Sequence, residues 1–348
     1  MKIKVGGKEI GEDAHCFVIA EVGMNHNGDL EMAKAMIKAA AANGADCVKF
    51  QTFTAEKLVT KHAATFGAVK SHLPAKQQEM YKKYEFSRAQ WKELVEYSKE
   101  LDVLFFSSCW DEENVDMLDE LGMAMFKVGS ADITHIPLLK HIARKNKPVM
   151  IATGASTIDE MREAVNAIKE EGNNKIILLH CTLSYPTQLK DANIRCITTL
   201  IREFPDCIIG ISDHTMDNIT SIASTALGSK VTERHFTIDK RMPGVDHHLS
   251  MDPEDLKIMV QEIRKLEQTL GTADRSEIFG AETETRKMAR RSVIAKIPLK
   301  KGVLITKEML VIKRPGTGIA PKDVDKVVGK KPKKDIEDDE VLQWDMLE

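Results

Sequence analysis

The segments Ile211-Ser212-Asp213-His214 and Val231-Thr232-Glu233-Arg234-His235 each begin apolar, turn polar and end on an imidazole. One helix-length segment separates them. As neighbouring parallel strands they would bring both histidines to the same sheet edge, as half of a divalent-metal site. Other apolar runs end in Glu21, in Lys49 and Gln51, in Ser107 and Ser108, in Lys127 and Ser130, in Thr153 and in His180. A buried lysine is unfavourable unless paired. Lys49 and Lys127 therefore point to a phosphate or carboxylate, which an ammonium meets as a compact charge with three donors. Ser130 and Ser212 can add donors to the same anion. The residue types leave Glu21 open between a third ligand, an acceptor behind a ligand and a partner for Lys49. His26, His180, His247 and His248 are weaker candidates. A metal beside a doubly anionic substrate is the chemistry these residues imply.

These groups share one position because each ends a repeated unit. Strand-like runs read Phe17–Gly23, Asp46–Thr52, Val103–Cys109, Ala124–Ser130, Pro148–Gly154, Lys175–Cys181, Cys207–His214 and Lys230–Thr237. Helical periodicity fills the gaps, as in Asp29–Asn43, Arg88–Leu101, Thr157–Gly172 and Asp252–Leu270. Asp29 and Thr157 are good N-caps, and Asn43-Gly44 and Gly172 good stops. Repeated βα units predict a parallel sheet, and eight of them predict a closed (β/α)8 TIM barrel. The turn Gly23-Met24-Asn25-His26-Asn27-Gly28 lacks the GxGxxG pattern of an open dinucleotide-binding sheet. At the barrel's C-terminal rim the polar strand ends converge on one pocket. Two long connections, Ala55–Ser87 and Ile238–Met251, read as lids or substrate-selecting walls, and the first, rich in Lys, His and Gln, reads equally as a solvated excursion.

Length and composition agree with this plan. The 348 residues suit a large barrel plus a small module. With a net charge of −3 and interspersed signs, nothing suggests a nucleic-acid groove. The N-terminal segment has no apolar signal core, and no run approaches the ~20 apolar residues of a membrane span. Six cysteines without CxxC spacing, five of them in or beside apolar runs, read as buried hydrophobes of a reducing cytoplasm.

The domain plan is a barrel over 1–271, a linker over 272–291 and a β-rich module over 292–348. The linker carries Arg286, Lys287, Arg290 and Arg291. The module has a weak internal repeat, Val303-Leu304…Met309-Leu310 and Val341-Leu342…Met346-Leu347, and a site-like turn, Arg314-Pro315-Gly316. About 57 residues make a marginal core, so the module is expected to dock on its own barrel or a partner's. Other readings carry less. Metal-dependent amidohydrolase barrels usually open with His-x-His, where this chain has Asn25-His26-Asn27. A Schiff-base aldolase could use Lys49 or Lys127 but gives the paired histidines no role. A non-catalytic carbohydrate- or ice-binding protein leaves the polar rim unexplained.

Several motifs together resemble the sialic acid synthase family. They are Phe17–Gly28, Val48-Lys49-Phe50-Gln51-Thr52, Phe126-Lys127-Val128-Gly129-Ser130, His180-Cys181-Thr182, Tyr185-Pro186-Thr187, Gly210–Thr215 and Glu233–Thr237. Lys313-Arg314-Pro315-Gly316 resembles part of the antifreeze-like SAF domain, a small β-clip fold that ends those enzymes. The resemblance implies condensation of phosphoenolpyruvate with an N-acetylmannosamine-type sugar to a nine-carbon 2-keto-3-deoxy acid and phosphate. It implies Mn2+, or Mg2+ or Co2+, on His214 and His235, and Glu21 as an acid–base group. Lys49, Ser108, Lys127, Ser130 and Ser212 match positions that hold phosphoenolpyruvate. Gln51, Tyr185 and Asp246 match sugar contacts. Arg314 matches an arginine that reaches the other subunit's barrel in a domain-swapped homodimer. Ala152, Leu183 and Asp132 depart from some relatives, which leaves the sugar open: N-acetylmannosamine, as for plain N-acetylneuraminate synthases, is the leading case, with a legionaminic or pseudaminic acid precursor or a 6-phosphorylated sugar as the alternative.

Overall fold

The computed structural model describes residues 1–64 and 76–348. These divide into two compact units, Met1–Gly271 and Thr272–Glu348. Residues 272–291, read from sequence as a linker, cluster with the second unit and contain a helix, Thr283–Ala289.

The first unit opens with an antiparallel hairpin, β1 (Lys2–Val5) and β2 (Lys8–Gly11). Gly6 and Gly7 both take positive φ in its two-residue turn, as a primed turn requires. The hairpin is not among the strands expected from the sequence, although Ile3, Val5 and Ile10 are buried in the main core. Eight parallel strands follow: β3 (Phe17–Gly23), β4 (Cys47–Thr52), β5 (Leu104–Cys109), β6 (Phe126–Val128), β7 (Val149–Ala152), β8 (Ile176–Cys181), β9 (Ile208–Asp213) and β10 (Val231–His235). They pair in chain order, and β10 closes on β3, which makes the predicted barrel.

The helices between them form where the apolar spacing put them. Asp29 accepts from the backbone N–H groups of Glu31 and Met32 at the head of Leu30–Ala42. Thr157 and Glu160 form a capping box on Ile158–Glu170. β6 and β7 are shorter than predicted. The chain leaves the ladder after Val128 because Ser130–Asp132 coils into a one-turn 3-10 helix at the rim.

Side-chain parity does the positioning. Phe50 of β4 faces outward and meets Trp91 of the helix Arg88–Glu100 edge-on, while Lys49 points inward to Glu21. Part of the predicted lid, residues 65–75, lies outside the described residues. Of the remainder, Met80 and Tyr84 pack with Met24 and Phe53 in a small apolar cluster.

The second unit has its own core, built around Val293, Leu299, Ile305, Ile319, Ile336 and Leu342. Its antiparallel pair is β11 (Ser292–Ala295) with β12 (Leu310–Lys313). The two halves of the weak sequence repeat both fold as one-turn 3-10 helices, Lys307–Met309 and Trp344–Met346, each followed by an extended leucine. Arg314 is exposed in a turn held by Ser292, whose hydroxyl donates to Pro315 O at 2.7 Å and accepts from Gly318 N at 2.9 Å.

Candidate functional site

The barrel strands converge on a cavity of about 360 Å³. Lys49, Ser108, Lys127, Ser130 and Ser212 all line it, as do Glu21, Gln51, Tyr185, His214, His235 and Asp246. Arg314 is the exception among the predicted site residues, since it belongs to the second unit.

The floor is a network of buried charges. Lys49 Nζ lies 2.9 Å from Glu21 Oε2 and 3.4 Å from Glu233 Oε1, and donates to Ser108 Oγ at 3.2 Å. The contact with Glu21 Oε2 is an ion pair without hydrogen-bond alignment, so that oxygen has no hydrogen-bond donor. Gln51 Nε2 donates to Glu21 Oε1 at 2.9 Å. Lys127 Nζ and Ser212 Oγ both donate to Glu233 Oε1, at 3.4 and 3.2 Å, while Glu233 Oε2 is buried without a partner.

Burial and charge set the protonation states. Burial alone would raise Glu233, but Lys127 and Lys49 hold it down to about 2. Burial works against the Lys49 ammonium, yet Glu21 and Glu233 together push its pKa up. Lys127 has less compensation and is lowered by burial. Burial raises Glu21, with Lys49 opposing and Glu233 reinforcing. Asp246 is pushed up to about 7 by burial and by the charge of Glu21. The lysines thus hold Glu233 ionised, while burial works toward the protonated form at Glu21 and Asp246.

Glu233 lies in the motif Glu233–Thr237 but is not among the site residues expected from the sequence. Strand parity was the available signal. Glu233 stands two residues before His235 and so faces the same way.

On the rim, His214 and His235 have ring centroids 5.5 Å apart, and Tyr185 covers His214 at 4.1 Å. His214 Nδ1 lies 3.0 Å from Thr182 O. A carbonyl only accepts, so Nδ1 carries the proton and Nε2 keeps its lone pair. His235 Nδ1 is buried without a hydrogen bond, 3.7 Å from Asp246 Oδ2. Burial lowers both imidazole pKa values, which favours the neutral form that ligates metals. Two convergent imidazoles with a free lone pair and an orphaned nitrogen fit a divalent cation. No group of three or more His, Cys, Asp or Glu side chains is so arranged among the described residues. Such an ion would complete its coordination with water and substrate.

Three of the four weaker histidines are structural. His26 stacks at 4.4 Å on Phe86 and accepts from Gly28 N at 3.0 Å. His180 Nε2 donates to Ala192 O at 2.8 Å. His247 bonds Thr237 Oγ1 at 2.7 Å, while His248 reaches the cavity wall.

Beside Ser130 the chain comes unusually close. Gly154 N donates to Ser130 Oγ at 3.0 Å, and a Cβ on Gly154 would lie only 2.8 Å from that oxygen. Ala152 and Leu183, the departures noted in the sequence, both line the cavity, as does Asp132. Another wall is apolar, made by Met24, Met80, Tyr81, Trp110, Val245 and Leu249.

Known proteins resemble this chain over its whole length. Residues 36–275 match the NeuB family and residues 290–348 the SAF domain. The N,N'-diacetyllegionaminic acid synthase of Legionella pneumophila is 39% identical, over 99% of this chain and 98% of its own. The human N-acetylneuraminate-9-phosphate synthase is 36% identical, over 98% and 95%. The crystal structure of N-acetylneuraminic acid synthetase from Leptospira borgpetersenii superposes with a TM-score of 0.74 at 33% identity, covering 82% of this chain and 95% of that one.

Proposed function

The chain belongs to the NeuB family, and on that premise we propose that it condenses phosphoenolpyruvate with an N-acetylated mannosamine-type aldose to a nine-carbon 2-keto-3-deoxy acid and phosphate. The observation that carries the reading is the pair of buried lysines, Lys49 and Lys127, in one cavity with two neutral imidazoles. Lys49, Lys127, Ser108, Ser130 and Ser212 hold the carboxylate and phosphate of phosphoenolpyruvate. Gln51, Tyr185 and Asp246 hold the sugar. His214 and His235 hold a divalent cation, Mn2+ by first choice, which polarises the open-chain aldehyde when bound.

Carbon 3 of phosphoenolpyruvate forms the new bond to the aldehyde carbon, whose oxygen takes up a proton. Glu21, raised by burial and 2.9 Å from Lys49, is the group placed to move protons there. Water then adds at carbon 2 and gives up a proton, and the tetrahedral product expels phosphate by C–O cleavage. Glu233 keeps both ammonium groups charged and in place before the anion arrives.

Arg314 touches the sugar's acyl group from a second copy in a domain-swapped dimer. Support comes from the arm Thr272–Arg291, exposed throughout and presenting Ile278, Phe279 and Met288 to solvent. No helix among the described residues is long and apolar enough to cross a membrane.

The apolar wall favours a second reading of the sugar. Met24, Met80, Val245 and Leu249 cannot bond a row of hydroxyls, and Tyr81 and Trp110 add one polar group each, whereas a second acetamido methyl would bury well there. A 2,4-diacetamido sugar, as in the legionaminic acid series, fits that wall better than N-acetylmannosamine.

The test is phosphate release from phosphoenolpyruvate and Mn2+ with each sugar, including the 6-phosphate. Release with none of them overturns the function. A higher kcat/KM for N-acetylmannosamine than for the diacetamido sugar overturns the second reading alone. Loss of metal binding in His214→Ala and His235→Ala is expected, and full retention in either removes the metal assignment.

A further inference from the structure

Behind the two histidines lies a second buried charge pair that the chemistry above does not use. Asp213 and Arg234 are register partners on β9 and β10. Each is the chain neighbour of a rim histidine, so by parity each faces away from the cavity, toward the helices. Both are buried, at 4% and 3% exposure.

The bonds they make bracket His214. Arg234 Nη2 donates to Thr215 O at 2.6 Å, Nη1 donates to Asn218 Oδ1, and Nε lies 3.7 Å from Asp213 Oδ2. Asp213 Oδ1 accepts from Thr215 N at 2.8 Å, and Oδ2 accepts from Ser221 Oγ at 2.7 Å. Asn218 in turn donates to Asp255 O at 3.1 Å. The residue before His214 and the residue after it are thus both tied to the guanidinium that precedes His235. A buried arginine is expensive in free energy, and apolar packing would stabilise the barrel at least as well. What the planar fork adds is a fixed geometry across the two strands.

We propose that Arg234 and Asp213 are positioning residues, a clamp that sets the separation of the His214 and His235 imidazoles and thereby the affinity of the pair for a divalent cation. The cation part rests on the reading that these histidines hold one.

The experiment titrates Mn2+ into the metal-free full-length protein, following free Mn2+ by EPR, for wild type, Arg234→Met, Arg234→Lys and Asp213→Asn. Far-UV CD and urea midpoints verify folding. The Met and Asn variants should bind Mn2+ about tenfold more weakly or worse. Arg234→Lys should fall between, since an ammonium cannot span all three acceptors. Wild-type affinity in folded Arg234→Met and Asp213→Asn overturns the clamp.

If those variants do not fold, Ser221→Ala, which removes one bond to Asp213, and Asn218→Ala, which removes its bonds to Arg234 and to Asp255 O, both keep the ion pair and carry the same readout with a smaller loss. A second measurement needs no metal. The histidine side-chain 1H–15N resonances of His214 and His235 should move in the clamp variants while those of His26 stay in place. If wild type binds no Mn2+, the metal reading fails and these resonances decide: shifts at His214 and His235 support the clamp, and unmoved ones overturn it.

Discussion

His26 makes the stability of this barrel depend on pH in a way that one substitution can isolate. The ring is fully buried against Phe86 and Phe50, its Nδ1 accepts from Gly28 N, and its Nε2 has no partner. Burial lowers its pKa from 6.5 to about 3, with only a small opposing effect of Asp29. The unfolded chain therefore takes up a proton that the folded chain refuses. Stability from this group is complete above the unfolded pKa and is lost as pH falls toward the folded one. Between pH 7 and pH 5 the unfolded state gains about 0.7 of a proton on this residue, and the integrated loss is about 2 kcal/mol. His26→Asn removes the titration while its side-chain oxygen can still accept from the amide two residues on. The variant pays a pH-independent penalty for the lost ring, but its urea unfolding free energy should fall by about 2 kcal/mol less than wild type's over that interval. Other buried histidines titrate in both proteins and cancel in the difference. Parallel curves for wild type and variant would refute the assignment of His26 as a buried neutral group.

Three further outcomes follow from the site. Gly154→Ala puts a methyl against Ser130 Oγ, Leu183 Cβ and Cys181 Sγ. Steady-state kinetics should show the KM for phosphoenolpyruvate rising by about tenfold or more, and an unchanged KM would remove Ser130 from the anion site. Glu233→Gln leaves Lys49 and Lys127 short of counter-charge and should cost about 3 kcal/mol in urea unfolding; the Glu233→Gln, Lys127→Met double variant should lose less than the sum of the singles, and additive losses would contradict the bridging role. For the swapped arginine, Arg314→Ala and His214→Ala homodimers should each be inactive, and unfolding and refolding them together should restore about a quarter of wild-type activity through hybrids with one intact site. No recovery in verified hybrids would place Arg314 in cis, and an active Arg314→Ala homodimer would place it outside the reaction.

Much of the barrel was legible because it rests on two local signals, apolar runs of strand length and helical periodicity with caps. Asp29 and Thr157 cap the helices their positions suggested, and all eight predicted strands are present. The polar residues gathered in one cavity for a reason also visible in the sequence: they ended the runs. What escaped was whatever depends on contacts distant in the chain or on an unusual local geometry. The hairpin of β1 and β2 is four residues a side, and its alternation is too short to stand out from a charged N-terminal segment. The early end of β6 reflects a rim turn that no propensity marks. The second unit's core joins Val293 to Leu342 and Leu299 to Ile336, pairs that nothing local announces.

β10 shows why a site can be half-read. The sequence put emphasis on its terminal histidine, since an imidazole at a strand end suggests a ligand. Yet Val231–His235 carries three charged or ligating side chains in succession, and parity assigns them to opposite faces. Glu233 shares the inner face with His235, so its carboxylate had to meet whatever the other strands point inward, and Lys49 and Lys127 were already known to do so. Arg234 must face the helices, where a lone guanidinium could not stay buried without acceptors. Its register partner on β9 therefore had to be acidic or flanked by free carbonyls, and Asp213 with Thr215 is both. The two motifs that ended in histidines were thus also specifying a charge pair on each side of the wall. Inside, Glu233 holds the lysines proposed to meet the anion; outside, Arg234 and Asp213 bond the backbone that carries the imidazoles. Neutralising either pair should loosen a different substrate contact, which is why phosphoenolpyruvate KM and Mn2+ affinity are expected to separate in Glu233→Gln and Arg234→Met.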